Sequence, residues 1–309
     1  MRFKAKISKD NLVALQSVVA SLDHISHRAA LHLNPDAFKI SLIVDSPDMP
    51  QCFAEMNAKY LFQDYRIESQ SGNAILFEIG LDLFSWALAS GKSAEFAQLK
   101  LVKRGTKPYL CFEAYAQSVA AIQVQHDIPI RLMPPGNLIY HVPPAAPPPQ
   151  VALKLPRGKM LRAIIQKLHS FSKTMFLTAK QAGRLVFRVD HAQVTIRSFC
   201  NNLTPYYPAH LSRENDAENS ATVKLDVRKL SAVLGLGALP WDDACVYVVH
   251  NSTVLISVLL PSFGGTGTEG GGAVDFYLPV MLLSADEEGE DEEDGGVDCN
   301  GDGDGGREE

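Results

Sequence analysis

The chain has 309 residues, room for one large domain or two of ordinary size, and its 46 % hydrophobic content is ample for a packed core. No apolar run approaches the roughly 18 residues that span a bilayer, which excludes a membrane helix. The formal net charge of −6 argues against a nucleic-acid partner only until its distribution is read: Ala285 to Glu309 hold thirteen acids against one base, Arg307, so the tail carries −12 and the body +6.

The start, MRFKAKIS, has no hydrophobic signal region. FKAKI (3–7) alternates as a strand. DNLVALQSVVASL (10–22) follows as a helix, with Asp10 read as its N-cap. FKISLIV (38–44) is a strand. AILFEI runs into LDLFSWALASG (74–91), a strand followed by a helix whose Trp86 has neighbours that point to burial. AQLKLVK (97–103), YLCFEA (109–114) and HDIPIRLM (126–133) are further strands. Residues 133–150 hold seven prolines and read as an extended, semi-rigid connector.

Beyond it the pattern restarts. VALKL (151–155) is a strand, and RGKMLRAIIQKLHSFSK (157–173) a helix. LVFRV (185–189) and QVTIRSF (193–199) are strands. TVKLDV runs into RKLSAVLGL (222–236), strand into helix. Residues 245–260 form a hairpin with Asn-Ser at the turn, 264–272 a glycine-rich loop, and AVDFYLPVML (273–282) a last strand. The two leading helices are offset by 147 residues and the two later ones by 144. Two independent offsets that nearly coincide predict an internal duplication. The organisation is therefore one unit at 1–133, the connector at 134–150, a second unit at 151–283, and an acidic tail at 284–309 whose composition is that of disordered chain. Many strands with two helices per half predict an α+β layer, helices packed on one face of an antiparallel sheet.

The helix at 157–173 poses the functional question. Met160, Leu161, Ile164, Ile165, Leu168 and Phe171 share one face at about 100° per residue. Lys159, Arg162, Gln166, His169 and Lys173 share the other, and the stretch contains no acid. A solvated face ordinarily mixes signs, because opposite pairs at i,i+4 help and like pairs cost. The face reads either as a solvated helix that lacks acids or as a contact for a phosphate backbone; five polar positions without an acid favour the second.

Catalytic chemistry has no foothold. GxxxxGK[ST], GxSxG, HExxH and GxGxxG are all missing. His24 and His27 lack further ligands nearby and read as surface residues. Asp242 and Asp243 read as a solvated turn. Asp298, Asn300, Asp302, Gly303 and Glu309 stand in calcium-loop register, but an EF-hand needs two flanking helices, and none is predicted there. Asp45, Asp48 and Asp190 are the carboxylates a nuclease would use, and nothing in their spacing makes them converge. No metal and no cofactor are expected. The five cysteines, odd in number and without CxxC, fit reduced thiols of cytosol or nucleus. The sequons at Asn202 and Asn251 are then chance matches.

The duplicated halves and the central connector resemble DNA sliding clamps of the PCNA class. HDIPIRLMP (126–134), LDVRKL (225–230), the opening MRFKAKI and FYLPVML (276–282) resemble, more narrowly, the Hus subunit family of the nine-one-one DNA-damage checkpoint clamp. The likeness extends over residues 1–283. It implies a PCNA-like fold, three subunits in a one-to-one-to-one ring, helices lining a hole and sheets outside. It implies non-specific double-stranded DNA in the hole, loading by an ATP-driven loader, recruitment of checkpoint signalling and repair proteins, and residence in the nucleus, with cytoplasm when unassembled. Carried over as hole-lining are Lys9, Lys92, Lys159, Arg162, Lys173 and Arg228. Gln16 and Ser17 stand where a replicative clamp usually offers lysines, which weakens the alternative of a homotrimeric processivity clamp. A partner-peptide groove would fall at Leu138, Ile139, Tyr140, Leu278 and Pro279. The proline content of the connector and the acidic tail both depart from the family.

Overall fold

In β1 (Arg2–Ser8) the residues Phe3, Ala5 and Ile7 are buried while Arg2, Lys4 and Lys6 face outward. That period of two makes a half-buried strand. This computed structural model describes residues 1–115, 122–156, 159–191, 194–208, 219–234, 239, 243–263 and 271–284. The calcium-loop register, the rest of the tail, Trp241 with Asp242, and residues 264–270 of the glycine run lie outside them.

The first half continues as α1 (Lys9–Asp23), β2 (Arg28–Leu33), β3 (Ala37–Leu42), β4 (Gln51–Asn57), a four-residue α2 (Ala58–Leu61), β5 (Asp64–Glu68), β6 (Ile75–Gly80), α3 (Leu81–Ser90), β7 (Phe96–Arg104), β8 (Lys107–Tyr115) and β9 (Ile122–Leu132). The connector opens with a 3₁₀ turn, Pro135–His141, instead of running extended throughout. Proline at the start of that turn brings a fixed φ and gives up no helical donor. The second half holds β10 (Val151–Lys154), α4 (Lys159–His169), β11 (Thr174–Lys180), β12 (Arg184–His191), β13 (Val194–Cys200), β14 (Ser220–Asp226), α5 (Val227–Leu234), β15 (Asp243–Val249), β16 (Thr253–Leu259), β17 (Gly272–Leu278) and β18 (Val280–Met281). Strand-into-helix units recur at β1–α1 and β10–α4, and at β6–α3 and β14–α5.

All ladders are antiparallel. One sheet of thirteen strands runs β10-β15-β16-β17-β4-β3-β2-β6-β9-β8-β7-β1-β5, and a second runs β13-β12-β11-β14-β18. The long sheet crosses between the halves where β17 meets β4, with Val274 opposite Ala54. α1 packs on α3, and α4 on α5. α1 buries Leu12, Leu15, Val18, Val19 and Leu22, and α3 buries Leu81, Phe84, Ala87 and Leu88, in a core shared with the strands. Apart from Ala87, each such side chain contributes about 1.5–3 kcal/mol when fully removed from water. Gly91 lets the end of α3 approach the sheet: a β-carbon there would sit 2.6 Å from Phe112 Cζ.

Three local expectations are corrected. The N-cap of α1 is Ser8, whose hydroxyl accepts from Asn11 N at 3.4 Å; Asp10 sits inside the first turn, where its charge suits the helix dipole. α4 ends at His169, not at residue 173. Phe171 N donates to Leu168 O at 3.0 Å in a closing turn, and the Phe171 ring is exposed instead of joining the apolar face. Trp86 is 66 % exposed. It follows buried Phe84 by two residues, about 200° around the helix.

The sheet ends differ in how they are protected. β10 is covered by residues 204–206, Lys154 N donating to Thr204 O and Tyr206 N to Ala152 O, both at 2.9 Å. β5 is short and alternates Asp64, Arg66 and Glu68, which discourages pairing, and β18 has two residues. β13 is a seven-residue edge that exposes Val194 (59 %) and Phe199 (43 %). β9 pairs with β8 along Ile122–Pro129 but with β6 only at Ile130–Leu132. Its other side is open before Pro129 among the described residues.

Candidate nucleic-acid interface

The four long helices differ in charge where physics leaves least freedom, at their N-termini. Acids belong there and bases do not, by about 0.3–1 kcal/mol each. α1 carries Asp10 and α3 carries Asp82 in the first turn. α4 and α5 carry no acid there. α4 begins at Lys159, and α5 places Arg228 and Lys229 in its opening turn. Asp226, just before α5, accepts from Arg228 N at 2.8 Å and offsets part of that cost.

The second-half cations come together. Arg228 Nε donates to His169 Nε2 at 3.1 Å, tying the polar faces of α5 and α4. Val227 N donates to Lys173 O at 2.9 Å, which puts Lys173 at the start of α5 although it lies beyond α4. Arg162, Gln166, Lys167, His169, Lys173 and Arg228 are all exposed. Lys159 is the first residue of α4; its side chain is outside the described residues. In the first half Lys9 opens α1 and Lys92 follows α3, both exposed. The end of α3 at Gly91 sits against Leu12, so these two lysines lie at the same end of the helix pair. They share that surface with Asp10, Asp82, Val13, Leu83 and Trp86, so it is close to neutral and partly apolar.

The expected peptide groove does not assemble as read. Leu278 is 4 % exposed and belongs to the core, because positions 274, 276 and 278 of β17 point inward. Tyr277 takes the outward position and meets the Phe53 ring edge-on at 5.8 Å. Leu138 faces a cleft of about 260 Å³ with Met1, His32, Ile75, Leu76 and Met133. Ile139 and Tyr140 are 67 % and 75 % exposed, and Pro279 is half-buried. The 3₁₀ turn is pinned to β3 by a 3.1 Å hydrogen bond between Ser41 Oγ and His141 Nδ1. Burial lowers the pKa of His141, so it is held toward the neutral form. Further along, Pro143 borders a second cleft, of about 390 Å³, with Phe53, Glu55 and Asp275. Burial raises the Asp275 carboxyl, partly offset by the Ser257 hydroxyl donating at 2.6 Å.

The remaining candidates do not form a centre. Asp45, in the bend after β3, faces Arg28 of β2 at 3.4 Å, and Asp190 in β12 accepts from Thr195 at 2.9 Å. His27 is held by Asp23 at 2.8 Å, which raises its pKa. No three His, Cys, Asp or Glu residues group as metal ligands among the described residues. Cys52, Cys111, Cys200 and Cys245 are buried free thiols, and burial pushes Cys111 up to about 12.

Compared with known protein families, residues 1–281 match the Hus1-like protein family. The chain belongs to the Hus1-like family. It is similar to the checkpoint protein hus1 homolog of Dictyostelium discoideum, 28 % identical over 287 residues covering 91 % of this chain and 99 % of the relative. It is similar to the human checkpoint protein HUS1, 23 % identical over 84 % of this chain and 95 % of the relative. Among solved structures it is similar to PCNA from Thermococcus kodakaraensis, with a TM-score of 0.65 at 16 % identity, covering 90 % of this chain and all of that one. The fold is the PCNA-like clamp fold, as the resemblance implied.

For this Hus1-like chain two kinds of residue escape sequence reading. Lys167 is exposed in the last turn of α4 and adds to the basic surface, yet it lies off the 3,4-spaced face. Tyr277 and Phe53 form the outer aromatic pair near the connector; the parity of β17 around buried Phe276 is the signal that finds Tyr277.

Proposed function

We propose that the protein is one subunit of a heterotrimeric, ring-shaped checkpoint clamp that encircles double-stranded DNA at damage sites. It recruits checkpoint signalling and repair proteins and acts as a scaffold, not an enzyme. The observation that carries this reading is the exposed basic surface of α4 and α5, two helices that hold no acid, with Lys159, Arg228 and Lys229 set at N-termini where the dipole disfavours bases. Such a surface tracks phosphates without reading sequence, which a sliding ring requires. Lys9, Lys92, Lys159, Arg162, Lys173 and Arg228 face the DNA. The ring is loaded by an ATP-driven loader in the nucleus.

The open edges supply the assembly. Among the described residues, the seven-residue edge at β13 and the unpaired side of β9 are two different surfaces, and joining unlike surfaces head to tail closes a ring when the rotation permits. A homotrimeric replicative clamp is the second reading. The near-neutral α1–α3 surface speaks against it, since a ring of three identical chains would then carry a broken lining. Mass by light scattering separates the two. The chain alone is expected at 33.7 kDa, and with its two companion clamp subunits in a one-to-one-to-one complex. A homotrimer formed by the chain alone would overturn the heterotrimer.

A further inference from the structure

Trp86 is the most exposed aromatic of the α-helices among the described residues, and it is not loose. Its ring meets the His126 ring edge-on at 4.9 Å, and His126 lies 6.3 Å from the buried Phe112 ring. The imidazole is itself oriented. Ser90 Oγ donates to Ala87 O at 2.7 Å, so the same oxygen accepts from His126 Nε2 at 2.9 Å. A column of three rings thus runs from the core to the surface and holds the indole in one place. Leu83, 44 % exposed and one turn earlier on α3, extends the apolar patch.

The position of the column decides what the patch is for. His126 is in the middle of β9, on the segment whose side away from β8 has no strand partner among the described residues. The fixed indole therefore stands beside an open row of backbone donors and acceptors. Exposed large aromatic rings held by their surroundings are the anchors of protein interfaces, because little entropy is lost on burial. We infer that Trp86, with Leu83, is the anchor of the subunit contact at β9, buried by the edge strand of a companion clamp subunit that adds to that open side. This rests on the ring reading above and names its hot spot. A strand docked on the open side must pass the indole, so an apolar side chain facing it completes the contact. DNA is the poorer occupant, since the flanking charges on α3 and α1 are Asp82 and Asp10 as well as Lys9 and Lys92.

The test uses the full chain with its two companion subunits. In Trp241→Phe, Trp86 is the sole tryptophan. Its emission is expected to shift to the blue and its acrylamide quenching to fall at least threefold on ring assembly, with no change on adding a 30-base-pair duplex to the chain alone. Trp86→Ala in the otherwise native chain is expected to weaken assembly at least tenfold, with Trp86→Phe recovering most of it and the circular dichroism of the free chain unchanged. This arm stands if Trp241→Phe does not fold. Unchanged assembly by Trp86→Ala while the native chain forms the ring would overturn the anchor and leave the ring intact. Failure of the native chain to join the companions would overturn the ring reading and the anchor with it. Quenching by duplex alone would reassign the patch to DNA, and burial of Trp86 in a complex of the chain with itself would reassign it to a second copy.

Discussion

The double variant Arg162→Glu, Arg228→Glu is expected to lower DNA binding by the assembled ring on the order of 10²-fold at about 0.1 M salt. Each lost phosphate contact removes about 0.9 from the slope of log K against log salt, so the slope should fall by about 2. The fold should not suffer in parallel. Both side chains are exposed, and surface changes of this kind stay within about 0.5 kcal/mol. Glutamate at 228 even suits the N-terminus of α5, although the bond to His169 is lost. Stability held or raised while DNA binding collapses is the signature of bases placed for a ligand. Measurement is by fluorescence anisotropy of duplex DNA across a salt series, with thermal unfolding alongside. An unchanged slope would remove these two residues from the DNA-facing set.

Phe84→Ala is expected to cost about 3–5 kcal/mol, the range for emptying a fully buried aromatic site. For a unit of roughly 150 residues that is a fall in Tm on the order of 10 °C. Trp86→Ala, two residues further along α3, should leave the Tm of the free chain almost unchanged. The contrast is a direct check on which side of α3 faces the core. Equal losses for the two variants would mean that Trp86 is buried in solution.

That helix also shows where sequence reading reaches its limit. The strand-into-helix units and their recurrence were legible because period-two strands and period-3.6 helices come in the same order twice, whereas the clamp fold was implied by the family resemblance of words such as HDIPIRLMP and LDVRKL. Leu81, Phe84 and Leu88 announce the buried stripe of α3. Trp86 misleads because an aromatic among apolar neighbours reads as core, and only the angle around the axis places it outside. Leu278 errs in the opposite direction: carried over from the family resemblance as a groove residue, it is set inward by strand parity, and Tyr277 takes the outer face. Lys173 was expected on the helix and reaches the basic surface from the turn, through backbone pairing that no periodicity encodes. The edge of β9 that is open among the described residues is a property of which strands pair, and that is set by long-range contacts.

Whether a ring containing this chain surrounds DNA is decided by a topological measurement. The heterotrimer is loaded with its loader and ATP onto covalently closed circular duplex, washed in high salt, and the circle is then cut once. The chain is expected to stay on the closed circle through the wash and to be released on linearisation, because a ring with loose, non-specific contacts is held by closure alone. Loss during the wash, or equal retention on cut and uncut DNA, would contradict it.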